Sequence, residues 1–123
     1  MAAILMIDDD KDFCGLASAH FSGAGHTIVL THNGADGLKK AAAIKPDVIF
    51  LDITMPDMNG IEVLRELRAG DETSDIPVIV VSGKFVDQGM YDLFSQERNF
   101  KAFIAKPVAM PTLQQKMEDL LRK

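Results

Sequence analysis

Tryptophan is absent and cysteine occurs once in the 123 residues. A lone Cys14 cannot pair within the chain, and neither a zinc quartet nor a Cys-x-x-Cys motif can be assembled, so the cysteine count points to a reducing compartment. Cys14 itself reads as a small apolar residue. Long apolar runs are missing too. None approaches the ~20 residues that span a bilayer, and Met1 to Ile7 has neither a basic leader nor an apolar stretch long enough for a secretory signal. A soluble cytoplasmic protein without membrane contact is expected. Positive charge is in deficit, with 13 Lys and Arg against 18 Asp and Glu for a net charge of −5. Nucleic-acid backbones are held by clustered basic side chains, so direct DNA or RNA binding is disfavoured.

What is present is an ordinary globular composition, 47% hydrophobic and 25% charged. A chain of this length suits one domain, 1–123, that buries roughly two-thirds of the surface its unfolded form exposes. Ala3 to Ile7, Thr27 to Leu30, Val48 to Leu51, Val78 to Val81 and Ala102 to Ile104 are short apolar runs without alternation. Runs of this kind suit strands buried on both faces, as in a parallel sheet.

Segments with helical spacing lie between and after them. Phe13, Leu16, Ala17, His20 and Phe21 form one stripe, and Leu113, Met117, Leu120 and Leu121 another. Ile61, Leu64 and Leu67 give a third and Leu38, Ala41 and Ala42 a fourth. Val86, Met90, Leu93 and Phe94 give a fifth, interrupted by Gly89. Strands alternating with helices imply right-handed crossovers and a doubly wound α/β sheet. The punctuation agrees, with Gly23 and Gly25, Pro46 and Pro77 before the second, third and fourth strands, and Pro111 in the first turn of the last helix.

In open α/β sheets ligands bind at the carboxyl ends of the strands. There this sequence places Asp8-Asp9-Asp10, Asp52 within LDITMPDMNG, Ser82-Gly83 and Lys106-Pro107. Converging carboxylates raise one another's pKa unless a cation sits among them. Carboxylates, a backbone carbonyl and water suit Mg²⁺, and the lack of histidine in this cluster disfavours a zinc site. Asp10 reads as an N-cap for the first helix. Asp8 and Asp9 do not reduce to a solvated charge run, because two acids that end a buried strand are costly without a partner. Singly, Asp52 reads as well as a loop acid and Ser82 as a turn hydroxyl; together the four strand ends resist that explanation.

Taken in order, ILMIDDD, VIFLDITMPDMNG, IPVIVVSG and FIAKP resemble the receiver domain of two-component response regulators, CheY-like proteins, over Ile4 to Leu121. The resemblance implies a flavodoxin-like fold with five parallel strands in order 2-1-3-4-5 and five helices. It implies that Asp52 accepts a phosphoryl group from a sensor histidine kinase or histidine phosphotransfer protein. Asp8 and Asp9 would then hold Mg²⁺ together with Asp52 and the Thr54 backbone carbonyl. Lys106 would pair with the phosphoryl group and Ser82 would donate its hydroxyl to it, with room left by Gly83. Phe103, three residues before Lys106, would occupy the family's switch position, although it also reads as a core aromatic. The Lys106-Pro107 bond would be cis, and Thr54 and Lys84 would tune the lifetime of the phosphoryl bond.

Such a domain is a switch that catalyses only its own phosphorylation and dephosphorylation. Its output is a partner or appended effector that the sequence does not identify, and a phosphorylation-dependent dimer is compatible with it. Arg98-Asn99-Phe100 departs from the small pair usual before the last strand, which leaves the face of the fourth helix and fifth strand in question. His20, His26 and His32 are not expected at a strand's carboxyl end, and Met55 and Met58 read as filler. Two other functions compete. One is a degenerate receiver that docks partners without phosphorylation. The other is a haloacid-dehalogenase-like phosphohydrolase, whose Asp-x-Asp motif Asp52-Ile53-Thr54 does not match.

Overall fold

The strand β1 (Ala3–Ile7) lies inside the sheet because every residue from Ile4 to Ile7 is apolar and buried. In the computed structural model, which describes residues 1–55, 57–83 and 87–122, it pairs in parallel with β2 (Thr27–Thr31) on one side. On the other side it pairs with β3 (Val48–Leu51), followed by β4 (Val78–Ser82) and β5 (Phe100–Ala105), giving the order 2-1-3-4-5. The expected doubly wound sheet is therefore the observed one.

Alternate residues along each strand face opposite layers. Ile4, Met6, Val48, Phe50, Ile79 and Val81 pack against α1 (Lys11–Gly23) and α5 (Met110–Leu121) through Cys14, Ala17, Phe21, Leu113 and Met117. Leu5, Ile7, Ile49, Leu51, Val78 and Val80 face α2 (Gly34–Ile44), α3 (Gly60–Ala69) and α4 (Gln88–Ser95). Phe21 and Phe50 meet with ring centroids 5.5 Å apart, and full burial of each contributes about 1.5–3 kcal/mol.

Helix starts follow local chemistry. Side chains of Asp10, Asn33, Asn59 and Asp87 each accept a hydrogen bond from the backbone N–H three residues on, and Glu62 completes a capping box at α3. Asp87 as N-cap places Gly89 in the first turn of α4, so it does not interrupt that helix.

Three expectations shift in detail. In α1 the buried residues are Cys14, Ala17 and Phe21, while Leu16 is 64% exposed, because the helix turns its Cys14 side to the sheet. Ala42 and Leu93 likewise face outward. β5 begins at Phe100, before the apolar run, and a register irregularity beside Val78 and Ile79 takes up Lys101. Val86 and Lys84 lie outside the described residues.

Candidate functional site

Three residues that stand one place beyond a strand are still held by the neighbouring strand. Asp8 N donates to Thr31 O at 3.0 Å, Asp52 N to Ile7 O at 2.9 Å and Lys106 N to Ser82 O at 2.9 Å. Their backbones are thus as firmly placed as the sheet. Asp8, Asp52 and Ser82 are 2%, 6% and 1% exposed, whereas Asp9 is open to solvent. Asp9, Asp10, Asp52, Thr54, Ser82, Gly83 and Lys106 line a single cleft at this edge.

Carboxylate oxygens of Asp8, Asp9 and Asp52 lie within 4.8 Å of one another, and among the described residues no other trio of His, Cys, Asp or Glu converges in this way. Burial lifts the Asp8 carboxyl above its ordinary value, and the nearby Asp52 charge adds to this. The hydrogen bond from Lys106 Nζ to Asp8 Oδ2, at 2.8 Å, works in the opposite direction. A cluster of three acids with one ammonium retains excess negative charge, and its donors are all oxygen. That set fits a hard divalent cation and not a thiolate-loving or imidazole-loving one.

The remaining predicted residues fall around the same cleft. Asp10 serves as the α1 cap, its carboxylate accepting from Phe13 N at 3.1 Å, while its own N–H donates to Asp8 Oδ1 at 2.9 Å. Thr54 N donates to Asp52 Oδ1 at 3.2 Å, which brings the Thr54 backbone to the acid trio. A Cβ built on Gly83 would meet only the Lys106 Cβ at 3.9 Å, an ordinary contact, so a methyl group is accommodated there and only larger side chains crowd the cleft. Phe103 is half-buried on β5 opposite Val80 and packs against the α2–α4 core. The Lys106-Pro107 peptide is cis. Met55 and Met58 also pack on that core, in keeping with a filling role.

One expectation fails, and several contacts are new. His32 does stand at a strand's carboxyl end, because the β-branched Thr31 extends β2 by one residue past Leu30. Its Nδ1 lies 3.1 Å from the Asp8 carbonyl oxygen, which also accepts from the Cys14 thiol at 3.4 Å. His20 and His26 bond Gln114 and Ala2 instead, away from the Asp8, Asp9 and Asp52 cluster. Lys106 Nζ sits 4.2 Å from the centroid of the Phe13 ring. Asp57 accepts from Gly34 N and Ala35 N at 2.9 and 3.0 Å, tying the β3–α3 loop to the start of α2. These last contacts join residues distant in sequence, and no motif announces them.

A family model described as the response regulator receiver domain matches residues 4–118. The chain is 37% identical over 113 residues to Protein PilH of Pseudomonas aeruginosa, covering 92% of each. It is 31% identical over 120 residues to Response regulator MprA of Mycobacterium ulcerans, spanning 98% of this chain but 50% of that protein. Among solved structures, a two-component response regulator from Clostridium difficile superposes with a TM-score of 0.89 at 25% identity, covering 100% of this chain and 98% of the other.

Proposed function

Since the chain belongs to the response regulator receiver family, we propose that it takes a phosphoryl group from a histidine phosphodonor onto Asp52. The observation that carries this reading is the convergence of Asp8, Asp9 and Asp52 within 4.8 Å beside the Lys106 ammonium. A carboxylate can attack a phosphoryl group only where the charge of the transferring oxygens is neutralised, and positioning does most of the remaining work.

Asp8, Asp9, Asp52 and the Thr54 backbone carbonyl would hold Mg²⁺, whose chemistry is to neutralise charge between the Asp52 carboxylate and the incoming phosphoryl oxygens. The chain's own residues do the rest. Asp52 Oδ forms the new oxygen–phosphorus bond as the donor's nitrogen–phosphorus bond breaks, and the freed imidazole takes up a proton. Lys106 leaves Asp8 for a phosphoryl oxygen, a role suited to a compact ammonium on a flexible stem. Ser82 donates its hydroxyl to a second oxygen.

The acquired charge, about −2 at neutral pH, is the switch. Drawing Ser82 inward vacates space beside β5 that Phe103 can fill, altering the surface a partner reads. On this reading the donor is a sensor histidine kinase or histidine phosphotransfer protein, and the output is a partner or effector whose binding differs between the two states. The test is incubation with a small phosphodonor and Mg²⁺, followed by mass mapping of the modified residue and an assay against an unrelated phosphomonoester. Modification at Asp52 without such turnover is the expected result; efficient turnover would instead indicate a hydrolase.

A further inference from the structure

The Lys106 ammonium is held on two sides. Asp8 Oδ2 lies 2.8 Å from Nζ, and the face of the Phe13 ring lies 4.2 Å from it at the centroid. A cation over an aromatic face within about 6 Å is attracted by the ring quadrupole, and the attraction strengthens where water is excluded. Water is largely excluded here, since the Lys106 side chain is 14% exposed. The Phe13 backbone is tied to the acid cluster: its N–H donates to Asp10 Oδ1, and Asp10 N donates to Asp8 Oδ1. The acids of β1's end are thus linked to the backbone of the residue whose ring faces Lys106.

We propose that Phe13 is a positioning residue for Lys106, keeping the ammonium in the cleft while it exchanges Asp8 for a phosphoryl oxygen. This rests on the phosphoacceptor reading of Asp52 given above. The reason is the lysine stem. Its rotatable bonds are fixed at the ammonium end by Asp8 and by the Phe13 ring, and on the phosphoacceptor reading the Asp8 contact breaks during transfer. The ring contact is independent of that exchange. It holds the ammonium near Asp52 when the first partner is lost, at no cost in competing negative charge. Asp10 contributes only by fixing the backbone from which the ring projects, since its carboxylate accepts from the Phe13 N–H.

Phe13→Leu keeps an apolar side chain against the α1–α5 core but removes the ring face, and Phe13→Tyr restores the face. Two readouts decide the matter. In NMR spectra of the unphosphorylated protein, the Lys106 ε-methylene protons are expected upfield in wild type and Phe13→Tyr, and near ordinary lysine positions in Phe13→Leu. With a small phosphodonor and Mg²⁺, the Asp52 modification rate is expected to fall about three- to tenfold in Phe13→Leu and to recover in Phe13→Tyr. In a Lys106→Ala background, Phe13→Leu should have no further effect on that rate.

Unchanged Lys106 resonances in Phe13→Leu would overturn the proposal, as would an equal slowing with and without Lys106. If wild type is not modified at Asp52 at all, the phosphoacceptor reading fails and the exchange role proposed for Phe13 falls with it. The Lys106 resonances, which need no phosphorylation, would still report whether Phe13 sets the ammonium's place.

Discussion

At the scale of single residues, Cys14 shows how position decides chemistry. Burial, with the Asp8 charge next in weight, pushes its thiol up to about 12 from an ordinary value of 9.0. At pH 8 this leaves on the order of a thousandfold less thiolate than an ordinary cysteine carries, and thiolate is the reactive form. Folded protein should therefore react with a disulfide reagent only as fast as it opens, while denatured protein reacts at once. Rapid full labelling of the folded protein, read by absorbance with and without guanidinium, would contradict this.

Asp57 behaves in the opposite sense. The backbone N–H groups of Gly34 and Ala35 hold its carboxyl below the ordinary value of 3.8. A depressed folded value means that the unfolded chain takes up the proton first as pH falls. The stabilisation is complete above 3.8 and is lost as pH drops through the folded value. The stability gap between wild type and Asp57→Asn should therefore be constant near neutrality and close under acid. Denaturant titrations at a series of pH values measure it, and a gap that persists unchanged into strong acid would count against the clamp.

At the scale of elements, the β3–α3 connection is set by one close approach. A Cβ on Gly60 would stand 2.6 Å from the Ile53 Cα and within 2.7 Å of its Cβ, while Gly60 N donates to Ile53 O at 3.1 Å. Backbone cannot yield as a flexible side chain does, so Gly60→Ala should cost about 2 kcal/mol or more. A melting or denaturant curve matching wild type would refute that packing. The loop in question carries Thr54, so the loss should also weaken the site.

Elements also show what was legible from sequence alone. Strands buried on both faces appear as unbroken apolar runs, and β1 and β3 were readable to the residue for that reason. β5 is an edge strand and half exposed, so its first residues, Phe100 and Lys101, do not extend the run. The helical period shows that a stripe exists but not its phase. Leu16 and Cys14 compete for the inward side of α1, and only the packed sheet decides between them. The acids of the cleft were legible because strand ends announce themselves. Phe13 against Lys106 and His32 against Asp8 were not, since each is a contact made only by the completed fold.

At the scale of the whole molecule, two helical layers meet a sheet whose carboxyl edge collects Asp8, Asp9, Asp52, Ser82 and Lys106. Part of the net charge of −5 is thereby concentrated at one point, where three carboxylates suit a divalent cation. Ser82 and Phe103 sit on β4 and β5, and under the proposed function a charge gained at Asp52 would be transmitted through that side of the sheet. Phosphorylation of Asp52, as proposed, is read out by peptide mass mapping after exposure to a small phosphodonor with Mg²⁺. A phosphoryl mass increase on Asp52 that disappears in Asp52→Asn or on chelation is the predicted result. Equal labelling of wild type and Asp52→Asn, or an unchanged mass even with a cognate histidine kinase, would contradict it.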